Sequence, residues 1–461
     1  MITELLLISG SIALLSILLS PRAKTESSFF YGASNDGAPP GLITLVFSQV
    51  TTWIFARSLM NAAILGFYYG VWGTLAYAAY YLSFLTGAAI IDQLRFRHGF
   101  ENIQGFLKDR FGTAGTACYN IMIGLRLLSE VFANVLVIGI LFGATGTDLY
   151  TLGILGFAAL TLIYSLNGGL YASLRTDVAQ MALFLIVLGV LLTLMLQGEA
   201  FDWDVLGFKA FDISDPGPIL LVVALLQVWS YPMHDPVMMD RGFLADRRTT
   251  RLSFLHAAWI SILCILAFGL LGIFVGANAT GSESMNAALT RLLGETPMLL
   301  FSITLVVSAM STLDSTLSSS AKLIVIDMKL LPARLRNGRL VMIGFMILGL
   351  LMAFFGSKDL FSAVAVSGTA SMYLAPVIFF SLWAGRTDIP VWSYLGSFLL
   401  AVGGATLYFL ESSSHTAWLG EAHKYTKLLW ISFTVLAGGC LFFWLGGQSQ
   451  FFKKPMQTVN G

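Results

Sequence analysis

The chain has 461 residues, 57% of them apolar and 11% charged, with a formal net charge of +1. Soluble domains carry about 25% charged residues, so this composition excludes a water-facing globular protein of such length. The apolar residues come in blocks of roughly 18–28, long enough to cross a hydrocarbon layer about 30 Å thick as helices, and the alternating ~10-residue segments of a membrane β-barrel are absent.

The pattern predicts an all-α integral membrane protein of about 13 transmembrane helices. They fall near 3–20, 41–66, 68–92, 115–143, 148–166, 176–198, 216–238, 253–276, 297–325, 338–355, 359–384, 391–410 and 427–447. Met1 to Ser20 has no cationic leader and no small-residue cleavage pattern, so it reads as a retained helix, not a signal peptide. Residues 1–40 are then an extra helix and loop, 41–198 and 216–384 two five-helix units, 391–447 two C-terminal helices, and 448–461 a tail. An odd number of spans per unit makes the second enter from the opposite face, as an inverted-topology repeat requires. With the C-terminus inside, 18 of the 26 lysines and arginines fall in inner loops, among them Arg95, Arg97, Arg241, Arg247, Lys453 and Lys454. Five fall outside: Lys209, Arg291, Lys358, Lys424 and Lys427. The positive-inside rule therefore predicts a multi-pass cell (inner or plasma) membrane protein with its N-terminus outside and its C-terminus cytoplasmic. Cys118, Cys264 and Cys440 lie far apart in apolar blocks and read as buried thiols.

Two spans read as broken. The second packs Ser48, Gln49, Thr51, Thr52, Arg57 and Ser58 into mid-membrane around Trp53 and Ile54. The seventh carries Pro232 and Pro236 within Trp229-Ser230-Tyr231-Pro232-Met233-His234-Asp235-Pro236, and two prolines remove two backbone donors. Unwound backbone at that depth supplies carbonyl ligands in transporters. Charges there need partners or water. In the fourth span Arg126 and Glu130 stand i,i+4 and can pair. Arg57 has no local partner, although His234 and Asp235 lie near it if the two broken helices face each other. Asp177 opens the sixth span, where a helix cap is the simpler reading. In the ninth, Ser308, Ser311, Thr312 and Ser315 share one face beside Asp314. That face offers hard neutral oxygens suited to a cation such as sodium; helix packing through hydroxyls is the competing reading.

In these stretches, together with Gly168-Gly169-Leu170-Tyr171-Ala172 and Asp240-Arg241-Gly242-Phe243-Leu244-Ala245, the chain resembles the sodium/solute symporter family. The resemblance covers most of the chain. It implies a LeuT-type core of two inverted five-helix repeats, with one helix before and two after, working by sodium-driven alternating access. It implies Na+ held by the Thr51 and Ile54 carbonyls, the Ser308 carbonyl and the Ser311 and Thr312 hydroxyls, with a second cation position at Asp177, Asp314 and Ser315. The chain departs from the sodium–proline and sodium–sugar branches around Trp53 and Arg57, which argues against a proline or sugar pocket.

The functional expectation is sodium-coupled uptake of a small organic solute. Pocket candidates are Thr52, Trp53, Ala56, Arg57 and Ser58, facing Trp229, Tyr231, Met233 and His234, with Glu130 or Asn134 and Ser367 or Thr369 nearby. An arginine without a partner prefers a carboxylate, so an organic acid or amino acid is favoured. The expected partners are the solute and the lipid bilayer; nothing calls for nucleic acid or requires an oligomer. The alternatives are a proton-coupled symporter of the same fold, a channel, or a transporter-like sensory module. Nothing in the chain reads as an enzyme: no H-E-x-x-H metal cluster occurs and the five histidines are scattered.

Overall fold

The computed structural model describes residues 2–198, 201–207, 210–281, 283–355 and 360–451, and no strand occurs among them. The expected charges Lys209, Lys358, Lys453 and Lys454, and the tail beyond residue 451, lie outside these residues. In chain order the helices are α1 (Ile2–Leu19), α2 (Glu26–Tyr31), α3 (Leu42–Trp53), α4 (Ala56–Ala79), α5 (Ser83–Ile91), α6 (Ile103–Phe142), α7 (Asp148–Leu196), α8 (Pro216–Gln227) and α9 (Tyr231–His234). They continue with α10 (Pro236–Gly242), α11 (Arg247–Ala277), α12 (Met285–Leu293), α13 (Glu295–Lys322), α14 (Leu335–Phe355), α15 (Leu360–Ser371), α16 (Leu374–Pro376), α17 (Val391–Ser412) and α18 (Lys424–Phe451).

Among the described residues, ten helical stretches are long and apolar enough to cross a membrane, against the thirteen spans expected. The difference lies in how the chain divides. The 49 residues of α7 would extend about 74 Å if straight, far beyond a bilayer core. Gly169 at φ +55° interrupts them, and the two arms fold together. Ser20 Oγ donates to Tyr164 O (3.3 Å) before the break, while Gln180 Nε2 reaches Ser16 Oγ (3.1 Å) after it. Gly70 at φ +61° breaks α4 in the same way. Only glycine takes this left-handed conformation without strain. The first halves of the second and seventh expected spans, α3 and α8, are each 12 residues and too short to qualify alone. The sixth span's helix restarts at Leu170, six residues before the expected 176, so Asp177 sits inside a helix and caps nothing.

Every residue of α13 from Phe301 to Lys322 is buried, which makes α13 the central strut. It packs against α3, α6, α7 and α14. α1, α17 and α18 lie outside, with Leu18, Leu399 and Trp430 exposed as lipid-facing positions. α4 and α11 meet through glycines: a side chain at Gly272 would strike the Ala63 carbonyl, and one at Gly66 the Gly269 carbonyl. Such small residues let membrane helices approach backbone to backbone. Gly272→Val should therefore cost roughly 1–3 kcal/mol of stability. Gly10→Ala, which faces open space, should leave the thermal midpoint in detergent unchanged. An unaltered midpoint for Gly272→Val would contradict this packing.

Candidate functional site

The first helix break falls at Ile54 (φ −83°, ψ 46°) and Phe55 (φ −62°, ψ 158°). The last helical bond of α3 runs from Ile54 N to Val50 O (2.9 Å), so the carbonyls after Val50 leave the helical ladder. Three receive hydroxyls from other helices. Ser308 Oγ donates to Ile54 O, Thr312 Oγ1 donates to Thr52 O (3.2 Å), and Tyr81 Oη donates to Trp53 O (2.9 Å). α13 is thereby laced to the break by the face that carries Ser308 and Thr312. It is the Ser308 hydroxyl that meets Ile54; its carbonyl accepts from Thr312 Oγ1 at 3.0 Å.

One turn further along α13 lies a second polar tier. Asp177 accepts from Ser311 Oγ and Ser48 Oγ, both at 2.6 Å. Asp314 accepts from Ser173 Oγ (2.6 Å) and Thr176 Oγ1 (3.2 Å). Ser315 Oγ lies 2.8 Å from Ser173 Oγ and 3.2 Å from Thr52 Oγ1. Arg241 enters this tier from α10, with Nη2 donating to Ser315 Oγ (2.6 Å), Nε to Ser48 Oγ (3.2 Å), and Nη2 standing 3.9 Å from Asp177 Oδ2. All three charged side chains are fully buried. With both carboxylates ionised, the tier carries one more negative than positive charge.

Arg241, expected in an inner loop, is instead a buried part of the site. The usable signal was Pro236: a proline at the first position of a new helix restarts the ladder, so the broken span continues to Gly242. Ser173 and the contacts that Ser48 and Arg241 make here carry no local signal, because the partners lie more than 120 residues away for Ser48 and Ser173 and 74 residues away for Arg241 and Ser315.

On the other side of the break, four charges gather. Arg57 Nη2 reaches Glu130 Oε1 at 3.4 Å, which corrects the expectation that Arg57 lacks a partner: a buried guanidinium draws a counter-charge from across the bundle. Arg126 pairs with Glu130 as its i,i+4 spacing predicted and also reaches Asp235 Oδ2 and Tyr231 Oη, both at 3.3 Å. Asp235 therefore serves Arg126, while its other oxygen caps α10 by accepting from Met238 N at 2.9 Å. Arg57 Nε and Nη1, Trp53 Nε1 and His234 Nδ1 are buried without hydrogen-bond partners.

An aromatic wall flanks the arginines, with the Trp53 ring 5.4 Å from Tyr81 and 5.7 Å from Tyr231. A cavity of about 30 Å³ lies between Trp53, Phe55, Ser58, Arg126 and Tyr231. A larger one of about 400 Å³ runs from Arg57 past Asn61, Tyr68 and Tyr69 to Lys424. Thr51 and Thr52 are buried at the end of α3, Ala56 begins α4, and Ser58 Oγ accepts from Tyr77 Oη at 3.1 Å. Asn134 is occupied in its own helix, donating to Glu130 O at 2.9 Å. Trp229 is a correction: it is 39% exposed and packs on Phe379 and Trp383, turned outward because the break after Gln227 rotates it off the inner face. Ser367 and Thr369 lie on α15, where Gln227 Nε2 donates to Thr369 Oγ1 (3.4 Å).

Glu130→Gln should leave the Arg57 charge buried beside Arg126 without relief and destabilise the protein by roughly 3–5 kcal/mol. Arg57→Gln combined with Glu130→Gln should recover part of that loss. Strictly additive effects on the unfolding midpoint would mean the two side chains do not interact.

No family model matches the chain, and no characterised protein matches it by sequence. In structure it is similar to a Na+-coupled sialic acid symporter in a substrate-bound outward-open state: TM-score 0.73, 14% identity, 96% of this chain and 98% of that one covered. It is also similar to a nucleobase-cation-symport-1 family transporter in a closed conformation with bromovinylhydantoin bound: TM-score 0.57, 14% identity, 94% and 95% covered. Both neighbours are transporters and not enzymes. At this identity the likeness is one of fold. The chain has the LeuT-type, all-helical membrane fold expected from its sequence.

Proposed function

We propose that the chain is a secondary active symporter that couples sodium to the uptake of a small carboxylate-bearing solute. The observation that carries this reading is the lacing of Ser308 and Thr312 onto the Ile54 and Thr52 carbonyls at the helix break. Main-chain carbonyls from an unwound segment and hydroxyls from a facing helix form a set of hard, neutral oxygens, which fits a hard monovalent cation. Thr51, Ile54, Ser308, Ser311 and Thr312 are the proposed sodium ligands. Asp177, Asp314 and Ser315 are the proposed second cation position, where one more positive charge restores balance in the lower tier.

Solute binds, in this reading, where Arg57 keeps two buried donors without acceptors. An unsatisfied buried donor costs about 1–3 kcal/mol, and a carboxylate supplies two acceptors in the geometry of a guanidinium edge. Trp53, Tyr231 and His234 wall the position. The approach is the cavity between Arg57 and Lys424. Passage in the other direction is closed by Lys322 of α13, which pairs with Asp240 of α10 while Ser319 Oγ donates to Asp240 Oδ2 at 2.7 Å. Lys322 also stands 3.9 Å from Asp327. Cation and solute binding on opposite sides of one break each favour the same arrangement of α3, α4 and α13, so each raises the affinity for the other. In this reading residues 41–198 and 216–384 are the two inverted repeats, each with an interrupted first helix, and the C-terminus is cytoplasmic, as the asymmetry of lysines and arginines between alternate loops favours.

The test is uptake into proteoliposomes from a panel of organic and amino acids, with and without a sodium gradient. Uptake should saturate and require sodium. Thr312→Ala should raise the sodium concentration for half-activation about tenfold, the loss of one ligand contact. Arg57→Gln should weaken uptake of the carboxylate roughly 10- to 100-fold while leaving the protein folded; uptake equal to wild type would sink the carboxylate assignment. The buried Asp177–Asp314 tier supports a second reading, proton coupling. Uptake driven by a pH gradient in sodium-free medium, lost in Asp314→Asn, would favour it over sodium.

The Lys322–Asp240 closure generates its own expectation. Asp240→Asn should shift the population toward the state open on that side, read as faster labelling of a cysteine placed at Tyr119, which lines the cavity beneath the pair. Unchanged labelling would mean that the pair does not hold the closure.

A further inference from the structure

A cavity of about 1110 Å³ lies between the end of α5 with the π-helical turn Asp92–Arg97 and the first turns of α11. Four arginines line it: Arg97, Arg247, Arg248 and Arg251. Asp92 is its lining carboxylate, and it is already engaged. Arg247 grips it with two bonds (Nε to Oδ1 2.6 Å, Nη2 to Oδ2 2.8 Å) and Arg97 adds a third at 3.3 Å. The neighbouring Asp246 is used as the cap of α11, accepting from Arg248 N and Thr249 N. Arg248 and Arg251 pair with no carboxylate among the described residues, and the cavity keeps an excess of three positive charges.

The depth of this groove is set by its helix. α11 is a candidate membrane span of 31 residues, about 46 Å long against a hydrocarbon layer of about 30 Å, so its arginine-bearing first turns have the length to reach the headgroups. Below the arginines, on the same face, stands Leu255, four residues after Arg251 and 48% exposed; opposite it is Leu85 of α5, 43% exposed. Trp259 lies one turn deeper, 51% exposed, and extends the apolar wall. A cationic rim above an apolar wall matches a molecule with a phosphate at one end and acyl chains at the other. Guanidinium groups suit phosphate because they present paired donors and hold their charge.

We propose that this groove is a binding site for an anionic phospholipid, the phosphate held by Arg248 and Arg251 and the chains lying along Leu255 and Leu85. The site is independent of the transport reading and is tested without solute. Purified full-length protein is titrated with phosphatidylglycerol, with phosphatidylcholine of the same chains, and with glycerol 3-phosphate, following the thermal midpoint and lipid adducts by native mass spectrometry. Phosphatidylglycerol should raise the midpoint and form adducts, and the other two should not. R248Q/R251Q should weaken the adducts about thirtyfold, two surface arginines' share of headgroup attraction, while R248K/R251K keeps most of the binding and the lipid-free midpoint of all three proteins stays the same. Equal stabilisation by phosphatidylcholine, an equal effect of glycerol 3-phosphate, or undiminished adducts in R248Q/R251Q would each overturn the assignment.

Discussion

The rest of the structure depends on a helix that stops in the middle of the bundle. Backbone carbonyls in hydrocarbon must find donors, and at Ile54–Phe55 the chain's own helix no longer supplies them. Hydroxyls from α5's side of the bundle and from α13 do so. That need explains why α13 is buried over its whole middle and rich in serine and threonine on the face it turns to α3. An apolar α13 would leave the break unsatisfied, and a continuous α3–α4 would leave those hydroxyls with only their own helix to bond. Each element makes sense through the other.

The buried charges divide into separate groups about this break. With every side chain ionised, Arg57, Arg126, Glu130 and Asp235 sum to zero, whereas Asp177, Asp314 and Arg241 do not. The first group holds spare donors and therefore presents itself to acceptors. The second surrounds its carboxylates with hydroxyls and so presents itself to cations. Two chemically opposite surroundings lie within one helical core, separated by the unwound turn.

Much of this was legible in the chain, for reasons that are local. Pro232 and Pro236 announce a break through missing donors, and the hydroxyl run from Ser308 to Ser315 announces a polar face through helical spacing. Arg126 and Glu130 announce their pairing through i,i+4 geometry. What was not legible depends on contacts across the bundle. The Arg57 counter-charge is 73 residues away, Trp229 faces outward because of how a distorted turn unwinds, and Arg241 looked like a loop cation because the second half of its helix is only seven residues long. Gly70 and Gly169 hid a related fact: they join consecutive crossings so tightly that sequence boundaries drawn by hydropathy miss the turn by several residues.

The glycine contacts between α4 and α11 constrain how such a molecule can change shape. With backbone touching backbone at Gly66, Gly269 and Gly272, there is no clearance for one helix to slide along the other. The half-helix beyond the break must travel with α11 as one rigid body, and bending is confined to the few residues on either side: Ile54 and Phe55 at one end, and the Phe243–Asp246 connection at the other. The pivot of any rocking motion is thus written into the places where side chains are missing.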